Sequence, residues 1–138
     1  MADLRTNKVD AARRQTDAAI RMLFANEDPF AIHTVAAAAN RILRDIAENQ
    51  GGSHWHEGVK QLIRPGMEGK FWGAMNKAVN FLKHADSDPH EVLEVGEEFN
   101  DLTIMSNCVY YTSLGFEQTP EMRAFLGWHM GKCQEFCV

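Results

Sequence analysis

Apolar residues recur every three or four positions along most of this chain, which is the spacing of one face of an α-helix. The first such stripe predicts a helix from about Lys8 to Phe24. Asp28 is a good helix cap, and Pro29 suits a first helical turn. We therefore expect a second helix to begin there and to stop near Asn49, with an alanine-rich centre that lets a neighbouring helix approach closely.

The same pattern continues through the second half of the chain. A third helix should end near His84, and a fourth should run from about Glu97 to Leu114. A second cap-and-proline pair, Thr119 and Pro120, should begin a fifth helix. Strand-like alternation is hard to find, so the sequence predicts an all-α fold, a helical bundle of four to five helices.

Individual residues can also be assigned to the core or the surface. On its apolar stripe Thr112 should face inward, and Trp72 and Trp128 are expected in the core. His33 follows an inward-facing isoleucine, so we expect a partly buried histidine with its hydrogen bonds satisfied, or one that approaches His84 across the bundle.

Between the second and third helices the composition shifts to Gly, His, Ser and Pro, which is typical of a long loop. A short helical turn is expected from Glu57 to Ile63. Trp55 lies in the Gly-rich part of this loop, where exposure would make it a contact residue.

Composition limits the class of protein. The 138 residues, of which 45% are hydrophobic, suit one domain over residues 1–138. No apolar run is long enough to cross a bilayer, and the start lacks a secretory signal pattern, so we expect no membrane contact and a cytoplasmic location. The three cysteines, Cys108, Cys133 and Cys137, agree with a reduced compartment.

Charge divides the chain into two unlike halves. Residues 1–84 carry 12 Lys and Arg against 9 Asp and Glu, whereas residues 85–138 carry 2 against 10. Part of the acidic run has a structural explanation, because Glu97, Glu98 and Asp101 should lie in the first turn of the fourth helix. An alternative function is a non-catalytic module or regulator, bacterial or phage, that binds a protein partner through this acidic half.

Metal binding is a weak interpretation of this sequence. His129, Cys133 and Cys137 follow one another at four-residue spacing on the last helix, and thiolate and imidazole suit zinc. Over eight residues a helix rises about 12 Å, so the first and last of these side chains cannot easily share an ion. We expect no metal and no cofactor.

The polar triplet Lys77, Asn80 and His84 is the strongest candidate for a site. These residues are spaced i, i+3 and i+7, so they should share one helical face beside a core-facing surface. A histidine can move a proton of an RNA 2′-hydroxyl, a cation can hold the phosphate, and an amide can orient either group. The alternative is an ordinary solvated face, with His84 favoured at a helix C-terminus.

With this triplet near the end of a central helix, the chain resembles the HEPN superfamily of small helical bundles. That resemblance implies an RNA-binding or nucleotide-binding domain, a homodimer, and possible activity as a metal-independent ribonuclease. The HEPN motif is an Arg followed after four to six residues by His, and the matching positions here are Lys77 and His84, with Asn80 between them. Lys77 stands in place of the Arg, which replaces a planar guanidinium by a point charge.

Overall fold

The computed structural model describes residues 2–51, 58, 60–61, 63–84 and 89–130. Within them the chain forms five α-helices, and the predicted all-α bundle is confirmed. In chain order the helices are α1 (Lys8–Phe24), α2 (Pro29–Asn49), α3 (Glu68–Lys83), α4 (Phe99–Ser113) and α5 (Pro120–His129).

Side-chain caps fix the helix starts that the sequence predicts. Asp28 Oδ1 accepts hydrogen bonds from the backbone N–H groups of Phe30 (2.8 Å) and Ala31 (3.2 Å). Thr119 Oγ1 accepts one from Met122 N at 3.1 Å and so begins α5. These oxygens satisfy N–H groups that have no partner inside the helix, which is why both starts agree with the prediction.

Helix α2 lies at the centre of the bundle, where it packs against α1, α3 and α4. The larger core cluster joins α1, α2, α4 and α5 around residues such as Ile20, Leu43 and Phe125. A smaller cluster holds α3 through Phe71 and Met75. None of the helices in the described ranges is long and apolar enough to cross a membrane.

Buried amide side chains fasten α2 to α4. Asn40 Nδ2 donates to Asn107 Oδ1 at 2.9 Å and to Ser106 Oγ at 3.0 Å. Asn107 Nδ2 in turn donates to the backbone oxygen of Ala36 at 2.9 Å. The small Ala36 side chain leaves that carbonyl accessible in the middle of α2, so the alanine-rich centre does permit a close approach.

Three expectations about α4 and α5 are wrong. Thr112 is exposed, because α4 turns it away from the core and its hydroxyl donates to Cys108 O at 2.8 Å. Trp128 is 41% exposed and packs at the outer edge of α5 against Phe24. Helix α4 begins at Phe99, so of the three acidic residues only Asp101 lies in its first turn.

Other expectations fall on residues outside the described ranges. Three residues of the turn expected from Glu57 to Ile63 lie there, namely Glu57, Val59 and Leu62, and so does Trp55. Trp72, which the sequence places in the core, lies within the described ranges and is half-buried. The centroid of its ring lies 4.8 Å from that of Phe71. Trp72 packs against both core clusters.

The amide network predicts a large loss of stability for Asn107→Ala. The substitution leaves buried polar groups of Asn40 and Ala36 with one hydrogen bond fewer and opens a cavity, so the free energy of unfolding should fall by about 2–4 kcal/mol. Urea denaturation measures this change. Asn49→Ala, at the exposed end of α2, is the control and should cost about 0.5 kcal/mol or less. Equal losses in the two variants would contradict the role of the network.

A buried carboxylate joins α1 to the start of α5. Asp17 is 5% exposed, accepts a hydrogen bond from Thr119 Oγ1 at 2.7 Å, and lies 3.7 Å from Arg13 Nη1. Burial raises the pKa of Asp17, and the hydrogen bond from Thr119 offsets this only in part. Compared with water, the folded environment therefore favours the protonated form of Asp17 over the carboxylate.

The raised pKa of Asp17 gives stability a definite pH dependence. Its contribution is fully present below the unfolded pKa of about 3.9 and is lost as pH rises through the higher folded pKa. Asn at this position does not titrate, so the free energy of unfolding of Asp17→Asn minus that of wild type should rise as pH increases above about 4. Denaturation at several pH values tests this. Asp3→Asn, at an exposed position before α1, should follow the wild-type profile. The prediction is refuted if the free energy of unfolding of Asp17→Asn minus that of wild type stays constant or falls as pH rises.

Candidate functional site

A polar groove of about 440 Å³ runs between α2 and α3 and is the largest of the cavities described here. We call it the α2–α3 groove. Met75 and Val79 supply much of its apolar wall. Its polar side chains come from both helices, and they are Asn40, Arg41, Arg44, Asn76, Asn80 and Lys83.

Helical spacing explains why these side chains meet. Asn76, Asn80 and Lys83 are spaced i, i+4 and i+7 on α3, so they lie above one another on a single face. Arg41 and Arg44 are spaced i and i+3 on α2. Since α2 and α3 pack side by side, the two polar stripes form opposite walls of the groove.

The groove is positively charged. Three cations line it, Arg41, Arg44 and Lys83, and no described carboxylate does so. Arg41 Nε contacts Asp45 Oδ2 at 3.2 Å, but both side chains are largely exposed, so water screens this pair. An anion entering the groove therefore meets cationic and amide donors together.

Aromatic residues position Arg44. Its guanidinium carbon lies 4.2 Å from the centroid of the Trp72 ring, a distance at which the ring attracts a cation. Burial raises the pKa of Tyr110 to about 12, and the charge of Arg44 and a hydrogen bond with it act in the opposite direction. Arg44 is thus held from two sides, which lowers the entropy lost when it binds a ligand.

The structure brings only part of the predicted triplet to the groove. Lys77, Asn80 and His84 are all exposed, and of these Asn80 lines the groove. Lys77 lies about 120° around the helix from Lys83. His84 follows the last residue of α3 in an extended conformation, and its backbone N–H donates to Asn80 O at 3.0 Å. The catalytic assignment of these residues stays a prediction.

Sequence reasoning missed Arg41, Arg44, Asn76 and Lys83 as site residues. The signal on α3 was present, because the spacing of Asn76, Asn80 and Lys83 already describes one polar face. The arginines of α2 carry no such signal. Only the packing of α2 against α3 shows that they face the same space.

His33 does not match its expected environment. It is 3% exposed, contacts the ring of Phe99 at a centroid distance of 4.8 Å, and has no hydrogen-bond partner at either ring nitrogen within the described ranges. The expectation of a partly buried, satisfied histidine is therefore wrong. The His33 side chain also lines a second cavity, which is separate from the α2–α3 groove.

The acidic half is less uniform than its composition indicates. Glu91, Glu94 and Glu97 are exposed, whereas Asp101 is 2% exposed. A protein partner could therefore contact the first three residues but not Asp101.

Thiol and metal chemistry find little support in the described residues. Burial raises the pKa of Cys108 to about 12, so its thiolate, the nucleophilic form, is scarce at neutral pH. His129 is buried and stacks on Phe125, while Cys133 and Cys137 lie outside the described ranges. Within those ranges no group of three or more His, Cys, Asp or Glu side chains is placed to hold a metal ion.

Fold and site together define the class of protein: an all-α bundle with a cationic groove between two of its helices. Comparison with known proteins adds no further assignment, since no family model, curated protein or solved structure matches the chain.

Proposed function

We propose that this domain binds RNA or a nucleotide, with the phosphate held in the α2–α3 groove. The observation that carries the proposal is the convergence of Arg41, Arg44 and Lys83 on one cavity without a carboxylate among its described lining residues. The chain as a whole has a net charge of −5, so the cations are gathered locally against the overall charge.

The chemistry of the lining suits a phosphodiester. Two guanidinium groups provide paired N–H donors that match phosphate oxygens, and Lys83 adds a mobile point charge. Asn76 and Asn80 are exposed amides on the opposite wall, and amides can both donate to and accept from a ribose or a base. Met75 and Val79 give the ligand an apolar surface beside these groups.

Ribonuclease activity is the catalytic form of this proposal. His84 follows Lys83 directly and is exposed, so its imidazole is accessible to RNA held along the groove. In metal-independent cleavage the 2′-oxygen bonds to phosphorus as the bond to the 5′-oxygen breaks. A histidine accepts the 2′-hydroxyl proton, and the 5′-oxygen leaves with the bonding electrons and takes a proton from water. Lys77, on the adjacent side of α3, would stabilise the phosphate charge.

Charge removal in the groove tests the binding proposal. Arg41→Gln with Lys83→Gln should weaken binding of a fluorescent single-stranded RNA about a hundredfold or more, since each of the two lost charged hydrogen bonds is worth about 1.5–3 kcal/mol. The salt slope of the binding constant should fall by about 1.4, because two phosphate contacts are removed. Fluorescence anisotropy at several salt concentrations measures both quantities, with ATP as competitor to compare a nucleotide.

A charge-matched variant is the control for this experiment. Lys8→Gln with Arg14→Gln removes two exposed cations from α1, away from the groove, and should leave affinity nearly unchanged. Equal weakening by both double variants would show a response to net charge alone and would overturn the groove assignment. If Lys77→Gln weakens binding and the Arg41→Gln, Lys83→Gln double variant does not, the RNA contacts the Lys77 face of α3 and not the groove.

Cleavage is tested separately from binding. Incubation of labelled RNA with the purified protein in EDTA should give products ending in a 2′,3′-cyclic phosphate, and His84→Ala should reduce the rate about a hundredfold or more. His90→Ala, another exposed histidine, is the matched control and should retain the rate. Cleavage that survives His84→Ala would reject the catalytic role of His84. If the protein binds RNA but does not cleave it, the domain only binds RNA.

A further inference from the structure

A second cavity, of about 260 Å³, lies between the first turns of α2 and α4 and the chain segment 93–97. We call it the His33 pocket. It shares no lining residue with the α2–α3 groove. Its walls are mainly apolar, with Leu93, Val95 and Phe99 among them. The volume lies just below the roughly 300–1,000 Å³ of pockets for drug-sized ligands, so it suits a smaller molecule.

Two polar side chains in this pocket are buried without complete hydrogen bonding. His33 is 3% exposed and Asn100 is 8% exposed. Both ring nitrogens of His33 and the Oδ1 atom of Asn100 lack a hydrogen-bond partner among the described residues. Leaving such a group unsatisfied costs about 1–3 kcal/mol, so three of them at one cavity mark a place where a ligand can restore lost bonds.

The orientation of the Asn100 side chain is fixed by the fold. Its Nδ2 atom donates to the backbone oxygen of Pro29 at 2.7 Å, which leaves the Oδ1 atom as the available acceptor. Asn100 therefore requires a hydrogen-bond donor from anything that occupies the pocket.

His33 presents an uncharged ring to the same space. Burial lowers its pKa, and an interaction of hydrogen-bond type with the Asn100 side chain, whose geometry is too poor for a full hydrogen bond, opposes this effect only in part. A neutral imidazole has one N–H donor and one acceptor nitrogen. Asn100 and His33 together can thus receive a donor and an acceptor that lie side by side on one ligand.

Charge narrows the class of ligand further. Glu97 lines the pocket, and no described Lys or Arg does so. An anion would meet the Glu97 carboxylate without a compensating cation. A cation would lose its hydration against the apolar walls, and its attraction to Glu97 is screened because that side chain is exposed.

We propose that the His33 pocket binds a small uncharged carboxamide or lactam with an apolar body. The amide N–H donates to Asn100 Oδ1, the carbonyl accepts from the N–H of His33, and the apolar body contacts Leu93, Val95 and Phe99. This site is independent of the RNA or nucleotide contact in the α2–α3 groove.

Three related probes test the proposal by NMR titration of ¹⁵N-labelled protein. Benzamide should shift amide resonances of residues 29–33 and 93–100 in a saturable way. Acetophenone keeps the ring and the carbonyl but lacks the N–H donor, so its affinity should be at least about tenfold lower. Benzoate, which is charged, should be weaker by a similar factor.

Variants separate the pocket from the groove. His33→Phe keeps the ring volume but removes both nitrogens, and it should weaken benzamide binding about tenfold while the protein stays folded. Val95→Trp, at a position 36% exposed that also lines the pocket, fills the cavity by a second route and should abolish the shifts. The groove variant Arg41→Gln with Lys83→Gln is the control and should bind benzamide as wild type does.

Three results would overturn the proposal. Benzamide and acetophenone binding with equal affinity would show that the amide is not recognised. Undiminished binding to both His33→Phe and Val95→Trp would place the ligand elsewhere. The absence of saturable shifts at residues 29–33 and 93–100 would mean that the pocket holds only water.

Discussion

The hydrogen bonds between Asn40, Asn107 and the Ala36 carbonyl are the constraint on which the arrangement of helices depends. Asn107 reaches the backbone of α2 in mid-helix, and this requires α4 to lie close to a stretch without large side chains. A shift of either helix along its axis would break bonds between groups that water cannot reach. Because α2 also packs against α1 and α3, its packing against α4 fixes the position of those helices as well.

The packing of α2 against its neighbours leaves two cavities along this helix, and they differ in the charge of their lining. His33 and Ala37 are one turn apart, and they line the His33 pocket and the α2–α3 groove respectively. The groove gathers cations from the basic part of the chain, while the pocket is bordered by Glu97 from the acidic part. The unequal distribution of charge along the sequence therefore becomes a difference between two cavities, one lined by cations and the other by a carboxylate.

Local signals explain the predictions that hold, and long-range packing explains those that fail. Asp28 and Thr119 begin their helices through contacts within three residues, so their effects can be read from neighbouring letters. The exposure of Thr112 and Trp128 depends on which neighbours cover α4 and α5. A stripe of apolar residues gives the direction of a buried face, but it does not give the width of the partner that covers it.

The helical class, the caps at Asp28 and Thr119 and the concentration of polar residues near the end of α3 could all be predicted from the sequence, because periodicity and capping act over a few residues. Tertiary structure alone decided that Arg41 and Arg44 join Asn80 and Lys83 around one cavity. It also decided that His33 lies buried beside Asn100 with its nitrogens unpartnered in the described part of the chain. The physical reason is that each of these sites is formed by side chains from separate helices, whose relative placement is set by the packing and buried hydrogen bonds of α2 and not by the spacing within any one of them.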